Sequence, residues 1–195
     1  MALINYATRE IQCKIVYYGT GLGGKTTNLE YIHKQLNPSI RGEMVSLKTA
    51  DDRTLYFDFL PLDLGSVQGF KTKFSLYTVP GQVVYNASRK LVLNGADGIV
   101  FVADSQKDKM QENIDMYKNM EENLKENLMD LNKIPLVMQY NKRDLPPLLT
   151  IEELEGTLNP NNSPYFEAIA VDGTGVFATL KSISKEILKR FTMEK

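Results

Sequence analysis

The feature that most constrains this chain is the segment GTGLGGKT at residues 19–26, which fits the phosphate-loop pattern G-x-x-x-x-G-K-[ST]. Residues 11–18 before it (IQCKIVYY) are rich in β-branched and aromatic side chains, as in a strand. Residues 27–36 after it carry apolar side chains at helical spacing, namely Leu29, Ile32 and Leu36. The motif therefore lies between a strand and a helix, which is the position that phosphate binding requires.

The residues of this phosphate loop suit a nucleoside triphosphate. Glycines permit backbone conformations that other residues resist, so successive N–H groups can converge on phosphate oxygens. Lys25 is expected to reach the β and γ phosphates, and the hydroxyl of Thr26 is expected to bind Mg²⁺. The predicted phosphate-binding residues are Gly19, Gly21, Leu22, Gly23, Gly24, Lys25, Thr26 and Thr27.

The composition of the chain limits its class. Its 195 residues, 43% of them hydrophobic, are enough for one well-buried domain and few for two, so we predict a single domain over residues 1–195. A net charge of −1 gives no electrostatic case for nucleic acid. A single cysteine, Cys13, fits a reducing compartment. No run approaches the roughly 18 apolar residues of a membrane span, and neither an export signal nor a lipidation motif is present, so we expect a cytoplasmic protein without direct membrane insertion.

Strand and helix patterns alternate along the chain. Strands are predicted at residues 44–47, 54–60, 70–77, 98–104, 134–140 and 165–170. Helices are predicted at residues 107–131, 151–155 and 176–191. The second and third of these strands suggest an antiparallel hairpin with its loop at residues 61–69. The order predicts a three-layer α/β domain whose sheet is mostly parallel, with one antiparallel strand.

The loop at residues 141–144, N-K-R-D, follows a buried strand and indicates guanine recognition. The carboxylate of Asp144 can accept hydrogen bonds from N1–H and the 2-amino group of guanine, whereas adenine would leave it unpaired. A site built in this way can favour guanine over adenine by a factor of roughly 10⁴ to 10⁵. Asn141 is expected to contact N7 and support the loop, and the stem of Lys142 is expected to cover the base.

Two more loops are expected at the same edge, because right-handed crossovers bring the carboxyl ends of parallel strands together. In the T-V-P-G-Q loop at residues 78–82, the N–H of Gly81 is expected to meet the γ-phosphate and Gln82 to orient the attacking water. In the loop at residues 167–171, the N–H of Ala170 is expected to donate to guanine O6.

These motifs resemble those of Ras-superfamily small GTPases and cover nearly the whole chain. More closely, the chain resembles the bacterial MglA family of gliding-motility and cell-polarity GTPases, through residues 24–28 (GKTTN), 57–65 (FDFLPLDLG) and 78–82 (TVPGQ). The resemblance implies a Ras-like P-loop NTPase fold, the G domain, that binds GTP and GDP and slowly hydrolyses GTP to GDP and phosphate. Two alternatives remain: a GTP-binding scaffold with negligible turnover, and a P-loop kinase, which the N-K-R-D loop argues against.

The resemblance also assigns roles to three residues. Thr54 matches the switch threonine that senses Mg²⁺ and the γ-phosphate. Arg53 matches an arginine finger supplied in cis, a group worth roughly 10³ to 10⁵ in rate, although it can also be read as a surface charge. Thr78 stands where most Ras-like proteins have an aspartate that holds Mg²⁺ through water, so one indirect metal contact is missing. Asp58 can compensate for it, but we favour an outward-facing position on its strand, and we expect Asp104 to support a neighbouring loop.

The resemblance further implies partners. A homodimeric roadblock-fold activator, similar to MglB, is expected to align Arg53 and Gln82. An exchange factor and effectors are expected as well, with a monomeric GDP-bound state and recruitment to the cell poles through partners. The first switch and the strand after it are expected to shift register between nucleotide states.

Overall fold

The computed structural model describes residues 3–48 and 54–193, which contain eight strands and five α-helices. In chain order the elements are β1 (Leu3–Asn5), β2 (Glu10–Gly19), α1 (Lys25–Gln35), β3 (Val45–Lys48), β4 (Thr54–Val67), β5 (Phe70–Thr78), α2 (Asn86–Leu93), β6 (Gly98–Asp104), α3 (Met110–Glu126), β7 (Leu136–Asn141), α4 (Ile151–Leu158), β8 (Tyr165–Glu167) and α5 (Val176–Met193). None of the helices within these two ranges is long and apolar enough to cross a membrane.

The strands form one sheet in the order β3-β4-β5-β2-β6-β7-β8, with β1 paired to the start of β2. Strands β5, β2, β6, β7 and β8 are mutually parallel. Strand β4 runs against both of its neighbours, and the short β1 runs against β2. The predicted three-layer α/β fold is therefore confirmed, with β4 as the antiparallel strand within the main order of the sheet.

Two apolar clusters join the helices to the sheet. Strand β6 is buried along its whole length, as its continuous apolar sequence predicts for a strand covered on both faces. Helices α1 and α5 cover one face through a cluster that includes Cys13, Leu29, Ile32, Val176, Leu180 and Ile183. Helices α2, α3 and α4 cover the other face through a cluster that includes Leu93, Met116, Leu124, Leu154 and Leu158. This layering leaves the edge at the carboxyl ends of the parallel strands for the loops.

Helix α4 begins with the predicted capping box. The Thr150 hydroxyl accepts from the Glu153 N–H at 3.1 Å, and the Glu153 carboxylate accepts from the Thr150 N–H at 2.7 Å. Each side chain thus satisfies a backbone donor that the first helical turn leaves unpaired.

The predicted hairpin loop at residues 61–69 is wrong. Strand β4 continues to Val67, and the chain reverses at Gln68 and Gly69, both of which have positive φ. Gly65, which suggested a loop, instead lies within an irregularity of the β4–β5 pairing. A glycine inside a strand can mark such an irregularity as readily as a turn.

Other boundaries also differ from the prediction. Helix α3 is shorter than residues 107–131, because its two flanks form separate 3₁₀ turns at Lys107–Lys109 and Leu131–Lys133. Strand β8 ends at Glu167 rather than at residue 170. Helix α2 and strand β1 had no predicted counterpart, since both are too short to give a clear periodic pattern.

Leu93→Ala is expected to destabilise the fold, whereas Leu91→Ala in the same helix is not. Leu93 is fully buried and Leu91 is 74% exposed. The buried change should lower the free energy of unfolding by about 2–5 kcal/mol through lost apolar burial and a residual cavity. The exposed change should stay within about 0.5 kcal/mol. Urea denaturation of both variants measures these values, and equal losses would contradict the described core.

Candidate functional site

The phosphate loop connects β2 to α1, as predicted. Leu22 has φ +58° and Gly24 has φ +97°, so the loop twice adopts the left-handed conformation that turns successive N–H groups toward one side. A Cβ on Gly24 would lie 2.1 Å from Nδ2 of Asn141. Glycine is therefore required at this position by both its conformation and the closeness of Asn141.

Lys25 is buried inside the phosphate loop. Its Nζ donates to the carbonyl oxygens of Gly19 at 2.9 Å and Thr20 at 2.5 Å. Burial lowers the pKa of this ammonium to about 7, while the charge of Asp58 opposes the shift and that of Arg89 adds to it. An anion bound at the loop favours the charged form of Lys25, because an opposite charge at close range stabilises an ammonium.

Thr26 lies in the first turn of α1, where its hydroxyl donates to Oδ2 of Asp58 at 2.5 Å. Hydroxyl and carboxylate oxygens suit Mg²⁺, which commonly combines one or two protein oxygens with phosphate and water. Within the two described ranges, no group of three or more His, Cys, Asp or Glu side chains could hold a metal. The donor set thus fits a magnesium ion that completes its coordination with phosphate oxygens, not one held by protein alone.

The interpretation of Asp58 as an outward-facing carboxylate is wrong. Its side chain is 0% exposed. The carboxylate accepts hydrogen bonds from Thr26, from Ser46 and from Thr78, the last at 2.6 Å. The N–H of Asp58 also donates to Oγ1 of Thr78 at 2.9 Å.

The interpretation of Asp58 failed because it assumed the wrong buried face of β4. Leu60 and Leu62 share the face of Asp58 and are buried, whereas Phe57 and Phe59 on the other face are only half-buried. The aromatic residues suggested the core face, but α1 and α5 cover the other one. Both faces of β4 carry apolar side chains, so the alternation alone does not reveal the orientation of Asp58.

The T-V-P-G-Q loop lies directly on the phosphate loop. A Cβ on Gly81 would lie 2.2 Å from the backbone nitrogen of Gly21. A Cβ on Gly21 would lie 3.6 Å from the Gly81 carbonyl oxygen, which is ordinary contact. The two glycines therefore face each other where the loops meet.

Arg89 on α2 holds the backbone of the T-V-P-G-Q loop, a role that sequence reasoning missed. Its guanidinium is buried and donates to the carbonyl oxygens of Gln82 at 2.5 Å and Pro80 at 3.3 Å, and to Oδ1 of Asn119 at 2.8 Å. An isolated arginine on an unpredicted helix resembles a surface charge, so the sequence carried no signal for this role.

A cavity of about 890 Å³ opens beside these groups. The phosphate loop from Thr20 to Thr27 lines one side, and Gly81, Gln82 and Arg89 line another. The third side is the polar face of α3 together with the turn before it, which contribute Lys109, Glu112, Asp115, Asn119 and Glu122. The side chain predicted to orient water, Gln82, thus shares one cavity with Lys25 and Thr26.

Asn141 links three loops. Its Nδ2 donates to the carbonyl oxygen of Gly23 at 2.9 Å, and its Oδ1 accepts from the N–H of Ala170 at 2.9 Å. The phosphate loop, the N-K-R-D loop and the loop at residues 167–171 therefore meet at one buried amide. The predicted contact between the Ala170 N–H and guanine O6 would share this donor with Asn141.

Lys142 and Arg143 of the N-K-R-D loop each form an ion pair. Lys142 has φ +64°, and its Nζ lies 2.7 Å from Oδ2 of the buried Asp104. Arg143 pairs with Glu167 at 2.9 Å. Asp144 is exposed at the end of the loop. The prediction that Asp104 supports a neighbouring loop is confirmed.

Two predicted residues were assigned to the first switch by the sequence resemblance. Arg53 lies outside the described residues. Thr54 begins β4, where its backbone pairs with Lys48 of β3. The roles assigned to both residues rest on the sequence resemblance.

Comparisons with known proteins agree with this arrangement of loops. The family model described as the Ras family matches residues 14–189, which include all four loops. The chain is 58% identical over 188 residues to the "Mutual gliding-motility protein MglA" of Myxococcus xanthus (strain DK1622), and the alignment covers 96% of each chain. This protein therefore belongs to the Ras family of small GTPases.

Proposed function

We propose that this protein is a guanine-nucleotide-dependent switch that binds GTP and GDP and slowly hydrolyses GTP to GDP and phosphate. As a Ras-family small GTPase it belongs to a class of GTP hydrolases. The observation that carries the proposal is the Asn141 amide, which hydrogen-bonds to Gly23 of the phosphate loop and to Ala170 beside the N-K-R-D loop. The loop proposed to bind guanine and the loop proposed to bind phosphate are thereby connected through a single side chain.

The binding roles follow the order of the loops. Residues 19–27 would bind the phosphates through backbone N–H groups and Lys25. Asp144 would bind N1–H and the 2-amino group of guanine, and the stem of Lys142, anchored by Asp104, would cover the base. The Gly81 N–H would meet the γ-phosphate, once the T-V-P-G-Q loop moves from its contact with Gly21.

The chemistry would be a single in-line attack of water on the γ-phosphorus, with the β–γ bridging oxygen leaving on GDP. Gln82 orients the water, Lys25 neutralises charge on the phosphate oxygens, and Arg53 stabilises the transition state from the same chain. Mg²⁺, when bound, neutralises charge on the β and γ phosphates, and Thr26 and Thr54 are the residues proposed to hold it.

We infer that the switch acts in cell polarity or motility, since the relative of 58% identity is named for gliding motility. A roadblock-fold homodimer similar to MglB would act as its activator, by aligning Arg53 and Gln82. An exchange factor and effectors would act on the nucleotide states, with a monomeric GDP state and recruitment to the cell poles. The contact of Gly81 with Gly21 supports the need for an activator, because the loop that carries Gln82 must be repositioned.

We also propose that residues 1–195 form one G domain. The described strands pair into a single sheet, and the Ras family match covers most of the chain. The alternative of a GTP-binding scaffold with negligible turnover is not favoured, because Gln82 lies in the same cavity as Lys25. Single-turnover hydrolysis with the roadblock-fold activator decides between them, since a scaffold would retain GTP.

Asp144→Asn is expected to replace guanine preference by xanthine preference. The new amide can donate to the C2 carbonyl of xanthine, whereas guanine loses two charge-assisted hydrogen bonds of about 1.5–3 kcal/mol each. The GDP affinity should therefore fall by at least about 10²-fold. Competition of GDP and XDP against a fluorescent nucleotide measures this change. Asp108→Asn, at another exposed carboxylate, is the control, and unchanged GDP affinity in Asp144→Asn would contradict the assigned role.

Arg53→Ala is expected to abolish activator-stimulated hydrolysis while GTP affinity changes little. The loss should be about 10³ to 10⁵ in the stimulated rate, because an arginine finger acts mainly on the transition state. Arg53→Lys should remain strongly impaired, since an ammonium lacks the planar fork of a guanidinium. Single-turnover rates and nucleotide affinity are measured together. Retained stimulation in Arg53→Ala would place the finger on another residue.

Gly21→Val is expected to block stimulated hydrolysis and to spare nucleotide binding. A Cβ at Gly21 fits at 3.6 Å from the Gly81 carbonyl, but the two further methyl groups of valine would enter the space that Gln82 needs. Misplacement of about 1 Å in such a site can cost about 10²-fold in rate. Gly21→Ala is the matched control with a smaller expected loss. Equal stimulated rates for Gly21→Val and the unmodified protein would refute this placement.

A further inference from the structure

Another cavity lies on the face of the sheet that α1 and α5 cover. It has a volume of about 560 Å³ and lies between α5, the end of α1 and the hairpin of β4 and β5. We call it the α5 groove. Among the described residues, none lines both this groove and the cavity beside the phosphate loop. The apolar part of its lining includes Leu36, Leu64, Phe74, Phe177, Leu180 and Leu188.

The shape of the α5 groove suits a small, elongated molecule. It follows α5 from Phe177 to Leu188, a length of about 16 Å at the rise of an α-helix. Phe74 and Leu180 are buried in its lining, whereas Leu64 and Phe177 remain partly exposed. Its volume is in the range of sites that bind small molecules, which combine an apolar lining with a few polar groups. A ligand with a linear hydrocarbon body matches this lining.

Ser184 adds an unpartnered hydroxyl to the lining. The residue is 7% exposed, and its Oγ has no hydrogen-bond partner in the described part of the chain. The lining has another buried hydroxyl, that of Thr72, which donates to the carbonyl oxygen of Gly65 at 3.0 Å. Buried polar side chains are normally paired, so an unpaired hydroxyl that lines a cavity points to a ligand that pairs with it.

Three lysines give the α5 groove a positive charge. Lys181, Lys185 and Lys189 are exposed residues of the lining, and their spacing of four residues places them along one side of α5. Lys189 pairs with Glu186 at 2.6 Å, whereas Lys181 and Lys185 form no ion pair within residues 3–48 and 54–193. No carboxylate of the described residues lines the groove. Positive charge without a counter-charge in the lining favours an anionic ligand.

We propose that the α5 groove binds a medium-chain alkyl carboxylate. Lys181 lies three residues before Ser184, so the two side chains are neighbours on the helix surface. The Ser184 hydroxyl donates to the carboxylate, Lys181 and Lys185 neutralise its charge, and the hydrocarbon chain packs on Phe74 and Leu180. A plain hydrocarbon would leave Ser184 unpaired, and a cation would be repelled by the lysines. No residue proposed to bind the nucleotide takes part, so the inference does not depend on the proposed function.

The test is equilibrium dialysis of radiolabelled decanoate, below its micellar concentration, against the full chain. Saturable binding of a single molecule per chain is expected. Decyltrimethylammonium carries the same hydrocarbon chain on a cationic head group, and it should compete at least about 10-fold more weakly because it lacks an acceptor for Ser184. Butanoate keeps the carboxylate but loses most of the apolar burial, so it should bind at least about 10²-fold more weakly than decanoate.

Ser184→Ala is expected to weaken decanoate binding by about 10-fold or more, because a hydrogen bond to a charged group is lost. The melting temperature without decanoate should not fall, since the hydroxyl has no partner within the described residues. Ser182→Ala is the matched control, at a half-buried serine of the same helix outside the groove lining. Equal decanoate affinity for Ser184→Ala and the unmodified protein would overturn the inference.

A second variant combines Lys181→Gln with Lys185→Gln. Its decanoate affinity should fall by about 3- to 10-fold at low salt, and the dependence of binding on salt should weaken. Lys118→Gln combined with Lys125→Gln, at two exposed lysines of α3, is the control for the loss of charge. All four changes are at exposed positions, so this pair carries the test if Ser184→Ala does not fold. Equal affinities for the two double variants would contradict the inference.

The ligand comparison separates this inference from the other uses of an apolar groove. If decanoate and decyltrimethylammonium bind equally well, the groove accepts apolar segments of any charge, such as a helix of a partner protein, and the inference fails. Absence of saturable decanoate binding also overturns it and leaves the proposed nucleotide switch unaffected. Conversely, a chain that binds decanoate but neither GDP nor GTP would refute the proposed function alone.

Discussion

The site depends on the side chain of Asn141. Its amide nitrogen donates to Gly23 and its amide oxygen accepts from Ala170, so the carboxyl ends of β2, β7 and β8 are joined at one buried group. Gly24 has no side chain at the point where this amide passes, and a Cβ there would lie 2.1 Å from Nδ2. Because a buried amide must have its hydrogen bonds satisfied, moving any one of these loops would leave a polar group unpaired. The loops for guanine and for phosphate are thus fixed relative to each other before a nucleotide binds.

The two ends of the site are held by different kinds of contact. At the guanine end, Lys142 is paired with the buried Asp104, which lies at the end of a fully buried strand. At the end proposed to hold Mg²⁺, hydroxyl groups and one carboxylate, Asp58, connect α1 to β4 and β5. Strand β4 lies next to the edge strand β3, beyond which the sheet is not continued among the described residues. A change in nucleotide state can therefore be accommodated at the proposed metal end while the guanine end stays in place.

The sequence was most informative where the chemistry lies in consecutive residues. The phosphate loop and the N-K-R-D loop each combine backbone and side-chain requirements within a few positions. The alternation of strand and helix patterns predicted the parallel strands that carry them. Asp58 was misjudged because Phe57 and Phe59 suggested that their own face of β4 is the core, whereas Leu60 and Leu62 are the buried residues. The role of Arg89 was missed because it donates to the backbone carbonyl oxygens of Pro80 and Gln82. Every residue has a backbone carbonyl, so the sequence does not reveal which ones Arg89 contacts. Contacts between elements that are distant in sequence leave no periodic signal, and that is where prediction failed.

Arg89 gives a physical reason for the slow unaided hydrolysis that we propose. Its guanidinium donates to the carbonyl oxygens of Pro80 and Gln82, on both sides of Gly81, and Gly81 in turn lies against Gly21 of the phosphate loop. Hydrogen bonds from a charged donor are worth about 1.5–3 kcal/mol each, and a buried guanidinium that loses its acceptors also loses compensation for its burial. Bringing Gln82 into position over a γ-phosphate therefore requires either new partners for Arg89 or a rearrangement that keeps the existing ones. An activator that binds this loop can offset the cost through its own contacts, and its effect on the rate would then come from positioning Gln82 without adding a catalytic group of its own.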